Sequence, residues 1–170
     1  DRLDWGSAVA LARVNDRPLA LVGGYATLAG AGSQTALAVV DLTPMAAKPP
    51  PGQVSVAPTV LGFVKLEGLQ GVGDILLVGN TAIVSGGTGT KVDGQPGGAA
   101  LVDLTDPENA VVTGLIPGIG SRMALDPNGL LLSTDRSLIS GVDTGVDGVK
   151  TAALGSLALI TKVTPSPILV

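Results

Sequence analysis

Two glycine-rich stretches hold the side chains from which a site could be assembled. The first, Ser85-Gly86-Gly87-Thr88-Gly89-Thr90-Lys91, has the outline of a phosphate-binding loop, in which backbone N–H groups cradle phosphate and a lysine stands alongside. The spacing is wrong for that chemistry. The motif needs Gly-Lys-Ser/Thr opening a helix, and Lys91 runs instead into Val92-Asp93-Gly94, a turn. The second stretch is Asp143-Thr144-Gly145-Val146-Asp147-Gly148, preceded by Asp135. Carboxylate and carbonyl oxygens in such a segment can wrap calcium, with Asp135, Asp143 and Asp147 as the candidate ligands. An EF-hand-like loop wants acidic residues at alternate positions and a terminal Glu, and both are missing. A plain Asp-Gly loop is therefore the favoured reading, with calcium the one cofactor left open.

Other chemistries fall by exclusion. The chain has no His and no Cys, so Ser-His-Asp, Cys-His and zinc-histidine sites cannot be built from it. Its 14 Asp and Glu residues leave carboxylate pairs open for acid and base work, although most of them stand where turns are expected. Formal net charge is -4, and Lys and Arg are scattered singly, so there is no basic stripe for nucleic acid. No apolar run approaches the roughly 18 residues of a membrane span. Absence of cysteine fits a secreted bacterial protein or a cytosolic one and excludes a disulfide scaffold. Because the first residue is Asp1, the chain reads as a processed piece or an excised fragment.

The elements that must position these loops come from an internal repeat. Leu76 to Asp106 reads as two strands joined by a tight Gly79-Asn80 turn, a polar glycine-rich interval, and a third strand, GAALVDLTD. Val14-Asn15-Asp16-Arg17-Pro18 followed by LALVGG matches Val78-Gly79-Asn80-Thr81 followed by AIVSGG. Leu125-Asp126-Pro127-Asn128-Gly129 followed by LLLSTD is a third version. LAVVDLT at 37–43 matches AALVDLT at 99–105, and LALITKV at 157–163 takes that place more loosely. Two units carry a fourth strand, VLGFVKL from Val60 and AVVTGLI from Ala110, each running into glycines. The period is roughly 50 to 60 residues, at or somewhat above that of propeller blades.

Composition agrees with an all-β chain. Hydrophobic content is 45% and aromatic content 2%, so the core must be Val, Leu, Ile and Ala on short strands, punctuated by 25 glycines and 12 prolines. That pattern argues a sandwich, barrel or propeller. In chain order, Trp5 to Val14 reads as a strand and Leu19 to Gly24 as its hairpin partner. Tyr25 to Gln34 reads as a small-residue loop, Thr35 to Leu42 as the third strand, Thr43 to Thr59 as an exposed Pro-rich link, and Val60 to Leu66 as the fourth strand. The last unit carries the longest loop, Asp135 to Gly155, and lacks most of its final strand, for which Pro167 to Val170 is a start.

Gly79-Asn80-Thr81-Ala82-Ile83-Val84, Leu101-Val102-Asp103-Leu104-Thr105-Asp106-Pro107 and Val112-Thr113-Gly114 together resemble the cycle of the LVIVD-repeat family of β-propellers, found in bacterial and archaeal surface and secreted proteins. The resemblance covers nearly the whole chain. It implies a partial β-propeller of about three four-stranded antiparallel blades, in units of approximately 5–68, 71–118 and 120–170, and an extracellular or cell-surface setting. In such a blade the loops joining strand two to three and strand four to the next blade share one face. Thr90, Lys91, Asp93, Arg136 and Lys150 are the candidate binding residues there. Three blades do not close a ring, so further blades are expected from the rest of a parent chain or from another subunit.

The function this implies is a non-enzymatic scaffold or recognition module that binds protein or glycan through its loop face. The alternatives are a piece of a propeller glycosidase or lyase with its catalytic groups in other blades, and a structural wall such as part of a toxin-encapsulating shell.

Overall fold

The computed structural model describes residues 1–46, 57–125, 131–135, 138–140 and 153–156. They form an all-β protein of three four-stranded antiparallel sheets. The first sheet is a meander of β1 (Arg2–Val14), β2 (Arg17–Leu28), β3 (Gly32–Asp41) and β4 (Thr59–Lys65), with one helical turn at Thr43–Ala46. The second contains β5 (Val72–Val78) and β6 (Thr81–Gly86); its loop then makes a two-stranded ribbon, β7 (Lys91–Val92) with β8 (Gln95–Pro96). The sheet continues through β9 (Gly98–Asp103) and β10 (Val111–Pro117), which are linked by a 3-10 turn at Pro107–Asn109. β11 (Arg122–Leu125), β12 (Leu131–Asp135), β13 (Leu138–Ser140) and β14 (Ala153–Ser156) make the third.

Turn chemistry sets the register. Asn15 and Asp16 both have positive φ, 49° and 62°, as a type I′ hairpin requires, so Val14 pairs with Arg17. Gly79 alone takes positive φ, 56°, in the equivalent turn, the sign pattern of type II′, and Val78 pairs with Thr81. Both turns have two residues, so Arg17 is equivalent to Thr81 and Leu19 to Ile83. This corrects the alignment of LALVGG with AIVSGG, which set Leu19 against Ala82. A one-residue slip exchanges the two faces of a strand, so the correction decides which side chains meet.

With that register, the stacking is simple. Leu19, Leu21, Leu37, Val39 and Val64 of the first sheet meet Ile75, Ala82, Val84, Ala100 and Val102 of the second in one buried cluster. From the opposite face of the second sheet, Ile83, Ala99 and Ile116 join Ile119, Met123 and Leu131 in another. Each such side chain contributes about 1.5–3 kcal/mol by leaving water. First strands lie side by side, β1 and β2 against β5 and β5 against β11, while β4 touches the 3-10 turn and β10. Gly23 allows the close approach at the first of these seams, because a Cβ there would stand 2.5 Å from Val72 Cγ1. Hydrogen bonds cross both seams: Ser7 Oγ donates to the Val72 carbonyl (2.7 Å), Asn15 Nδ2 to the Thr105 carbonyl (3.0 Å), and the Met123 N–H to Asp74 Oδ2 (3.0 Å).

Two loop expectations are overturned. Tyr25 to Gln34 is not a loop, because β2 and β3 run on in register from Tyr25↔Thr35 to Leu28↔Gly32 and close at 29–31. Tyr25 and the threonines suit a pleated ladder, and Tyr25 stacks on Trp5 with ring centroids 6.0 Å apart. Asp135 to Gly155 is not one uninterrupted loop, since β13 follows β12 directly and pairs with it, and β14 supplies the fourth strand. The strand expected at 157–163, the start of a final strand expected at 167–170 and the run Lys48 to Gly52 lie outside the described residues.

The repeated Asp-Leu-Thr ends β3 and β9 in the same way. Asp41 Oδ1 accepts from the Thr43 N–H and Asp103 Oδ1 from the Thr105 N–H, both at 2.8 Å, so each aspartate closes a side-chain turn. Asp41 also receives Arg17 at 2.8 Å, and Arg17 reaches Glu108 at 3.2 Å across the seam. Hydrogen bonds from Arg17 and then Thr43 hold the Asp41 carboxyl at about 2, below its ordinary 3.8.

Two outcomes follow from these contacts. Ile83→Ala, at a position with no solvent exposure, should cost about 2–5 kcal/mol in urea unfolding. Because the folded carboxyl of Asp41 is the more acidic, its stabilisation is complete above 3.8 and is lost as pH falls toward about 2. Thermal melts across that interval should show a smaller acid-induced fall in Tm for Asp41→Asn than for the parent chain.

Candidate functional site

A recess bounded by loops lies where the β6–β9 loop meets the link from β10 to β11. Its volume is about 340 Å³, and residues 86–91, Pro96, Gly97 and 119–121 line it. Backbone forms most of the wall, since five of those residues are glycine: Gly86, Gly87, Gly89, Gly97 and Gly120.

The loop is held in place by hydrogen bonds to the chain on either side of it. Gly87 N–H donates to the Gln70 carbonyl (3.0 Å) and the Gly71 carbonyl (3.2 Å), which ties the loop to the link between the first two sheets. Gly97 N–H donates to the Thr90 carbonyl and Gly98 N–H to the Ile119 carbonyl, both at 2.8 Å. Gly97 takes φ +80°, and a Cβ there would collide with the Ile119 carbonyl oxygen, so the floor of the recess admits no larger residue. At the back, Ser85 Oγ donates to the Ser121 carbonyl at 3.1 Å.

Of the residues singled out by sequence, Thr90 and Lys91 come together here. Thr90 is buried and its hydroxyl is occupied: Oγ1 accepts from the Gln70 N–H at 2.9 Å and lies 3.4 Å from the Gln70 carbonyl it donates to. Its work is to anchor the loop. Lys91 is exposed at the rim. Asp93 does not line the recess; with φ 51° it makes the tight turn of the β7–β8 ribbon together with Gly94, φ 76°. Arg136 and Lys150 lie outside the described residues.

Asp135 terminates β12, its backbone paired with Leu138, whereas Asp143 and Asp147 lie outside the described residues. Among the described residues no three His, Cys, Asp or Glu side chains gather in a group that could hold a metal ion. No helix among them is long and apolar enough to cross a membrane.

Sequence reasoning overlooked Gln70, Gly97 and Ile119 to Ser121. The glycines around 118–120 were visible as punctuation between units. Their pairing with a loop more than twenty residues earlier depends on how the sheets stack, which no local pattern displays.

Removing the Thr90 hydroxyl while keeping its shape, as Thr90→Val, leaves the Gln70 N–H without that acceptor. A loss of about 1–3 kcal/mol is expected in denaturant unfolding, with faster amide exchange at Gln70 and Gly87. Comparison of the chain with family models, with curated proteins and with solved structures returns no match.

Proposed function

We propose that the chain is a segment of a β-propeller of the LVIVD-repeat kind and serves as a non-enzymatic recognition module of a secreted or cell-surface protein. The propeller reading is supported by three successive four-stranded sheets whose first strands lie side by side, the arrangement expected around a central axis. The observation that carries the recognition reading is the backbone-walled recess, formed by a strand-two-to-three loop and a sheet-to-sheet link. Loops held by a rigid scaffold are the usual place for binding. The wall presents no imidazole or thiol, since the chain has none, and no carboxylate.

A protein partner suits this recess better than a glycan. Sugars are commonly gripped by aromatic faces, and no aromatic residue lines it. Glycine walls let another backbone come close, and Lys91 at the rim offers a cation to a carboxylate.

The test is an NMR titration of the ¹⁵N-labelled chain with an acidic, glycine-containing peptide and, separately, with chitotetraose. The peptide should shift the amides of Thr88, Lys91 and Ser121, and Lys91→Glu should weaken it about fivefold. Shifts from neither ligand at these amides would overturn the reading, and shifts from chitotetraose alone would transfer it to glycans.

A further inference from the structure

The chain's one tryptophan and one tyrosine stand together on the first sheet. Trp5 and Tyr25 are partners in the β1–β2 ladder, and their rings stack with centroids 6.0 Å apart and planes 12° from parallel. Side chains alternate along β2, so Tyr25 and Thr27 share the face of Leu19 and Leu21, which turns toward the second sheet. Tyr25 lies over the link to that sheet, because a Cβ on Gly71 would stand 3.6 Å from its hydroxyl. Tyr25 covers one side of the indole, yet Trp5 is 62% exposed, so its other flat face is open to solvent. A further sheet packed on the opposite side of the first would not cover it.

A strand irregularity sets a charged acceptor on the same side of the sheet as the rings. Neighbours in a regular strand point to opposite faces, but the β1–β2 register shifts between Leu3 and Trp5, and the extra residue there is Asp4. Its carboxylate reaches the face of Tyr25 and Thr27. Oδ2 accepts from Thr27 Oγ1 at 2.6 Å and Oδ1 from Arg2 Nε at 3.0 Å, with Arg2 Nη2 2.9 Å from Oδ1. Hydrogen bonds from Thr27 and then Arg2 hold this carboxyl below its ordinary range, so it is ionised at neutral pH. A carboxylate oxygen has two lone pairs, and Oδ2 uses one on Thr27, which leaves the other for a ligand hydroxyl.

We propose that Trp5, together with Asp4, binds a hexopyranose unit of a β-linked glycan. A β-glucopyranose ring carries its hydroxyls around the rim and its axial C–H bonds on the flat faces, so it offers C–H to an electron-rich indole face and O–H to a carboxylate. Small-molecule sites combine aromatic surface with a few fixed polar groups, and the bonds from Thr27 and Arg2 fix this carboxylate. A polyproline strand also favours aromatic side chains, but it docks in a groove lined by them, and here the two rings close on each other. The site is separate from the recess and does not require the sheets to belong to a propeller, since its residues lie on β1 and β2.

Because Trp5 is the only tryptophan, its fluorescence and its indole N–H resonance report this site directly. Titration of the ¹⁵N-labelled chain with millimolar cellotetraose should move the Trp5 emission to shorter wavelength and shift the indole resonance together with the Tyr25 and Thr27 amides. Trp5→Ala, followed through those amides, should weaken binding at least about tenfold. Asp4→Ala should weaken it about fivefold, with an unchanged far-UV spectrum, and decides the matter if Trp5→Ala fails to fold. Unchanged Trp5 signals in cellotetraose, a response to a tetraproline peptide in its place, or binding that survives these substitutions would overturn the proposal. A negative result at Trp5 would leave the recess reading standing, because Thr88, Lys91 and Ser121 report the recess separately.

Discussion

Burial of both faces of the second sheet is the constraint on which this structure depends. β6 sends Ala82 and Val84 to one side and Ile83 to the other, all three fully buried, and β9 does likewise with Ala100 and Val102 against Ala99. A strand with apolar side chains on both faces is stable only between two other layers. The first and third sheets are those layers. Their order along the chain then follows from short links that carry each fourth strand to the first strand of the next sheet.

Since aromatic residues are almost absent, the layers approach through small side chains, and backbone polar groups come near the seams. These groups are satisfied by short hydroxyl and carboxylate side chains: Ser7 on the Val72 carbonyl, Thr35 on the Gly71 N–H, Thr90 on the Gln70 N–H, Ser85 on the Ser121 carbonyl, Asp74 on the Met123 N–H. Buried groups left unpaired would cost more than these bonds contribute, which explains why polar residues occupy such positions. The recess inherits that construction. It is walled largely by backbone and small residues, with Lys91 as the charged side chain at its edge.

Legibility differed from element to element for physical reasons. Asn15-Asp16 and Gly79-Asn80 could be read directly, because the φ values of a two-residue hairpin restrict its residue types. The Asp-Leu-Thr strand ends were visible as a repeat, and the aspartates proved to close turns, as residues at such places commonly do. Tyr25 to Gln34 misled because small residues suit a loop and a ladder equally, and only the pairing of β2 with β3 separates the two. Thr90 and Asp93 looked alike as polar loop residues, yet one hydroxyl is buried against Gln70 and the other side chain stands on an exposed turn.

The amino-acid sequence by itself determined that strands alternate with tight turns, that their core is aliphatic, and that no chemistry requiring imidazole or thiol is present. These are properties of neighbours along the chain and of residue type, so no folding is needed to state them. Tertiary structure decided which face of each strand is covered, which glycine links meet to form the recess, and that Thr90 anchors while Lys91 faces outward. Those outcomes depend on a one-residue register and on sheets meeting across dozens of residues, where the period-two pattern gives each strand two faces but does not say what lies opposite.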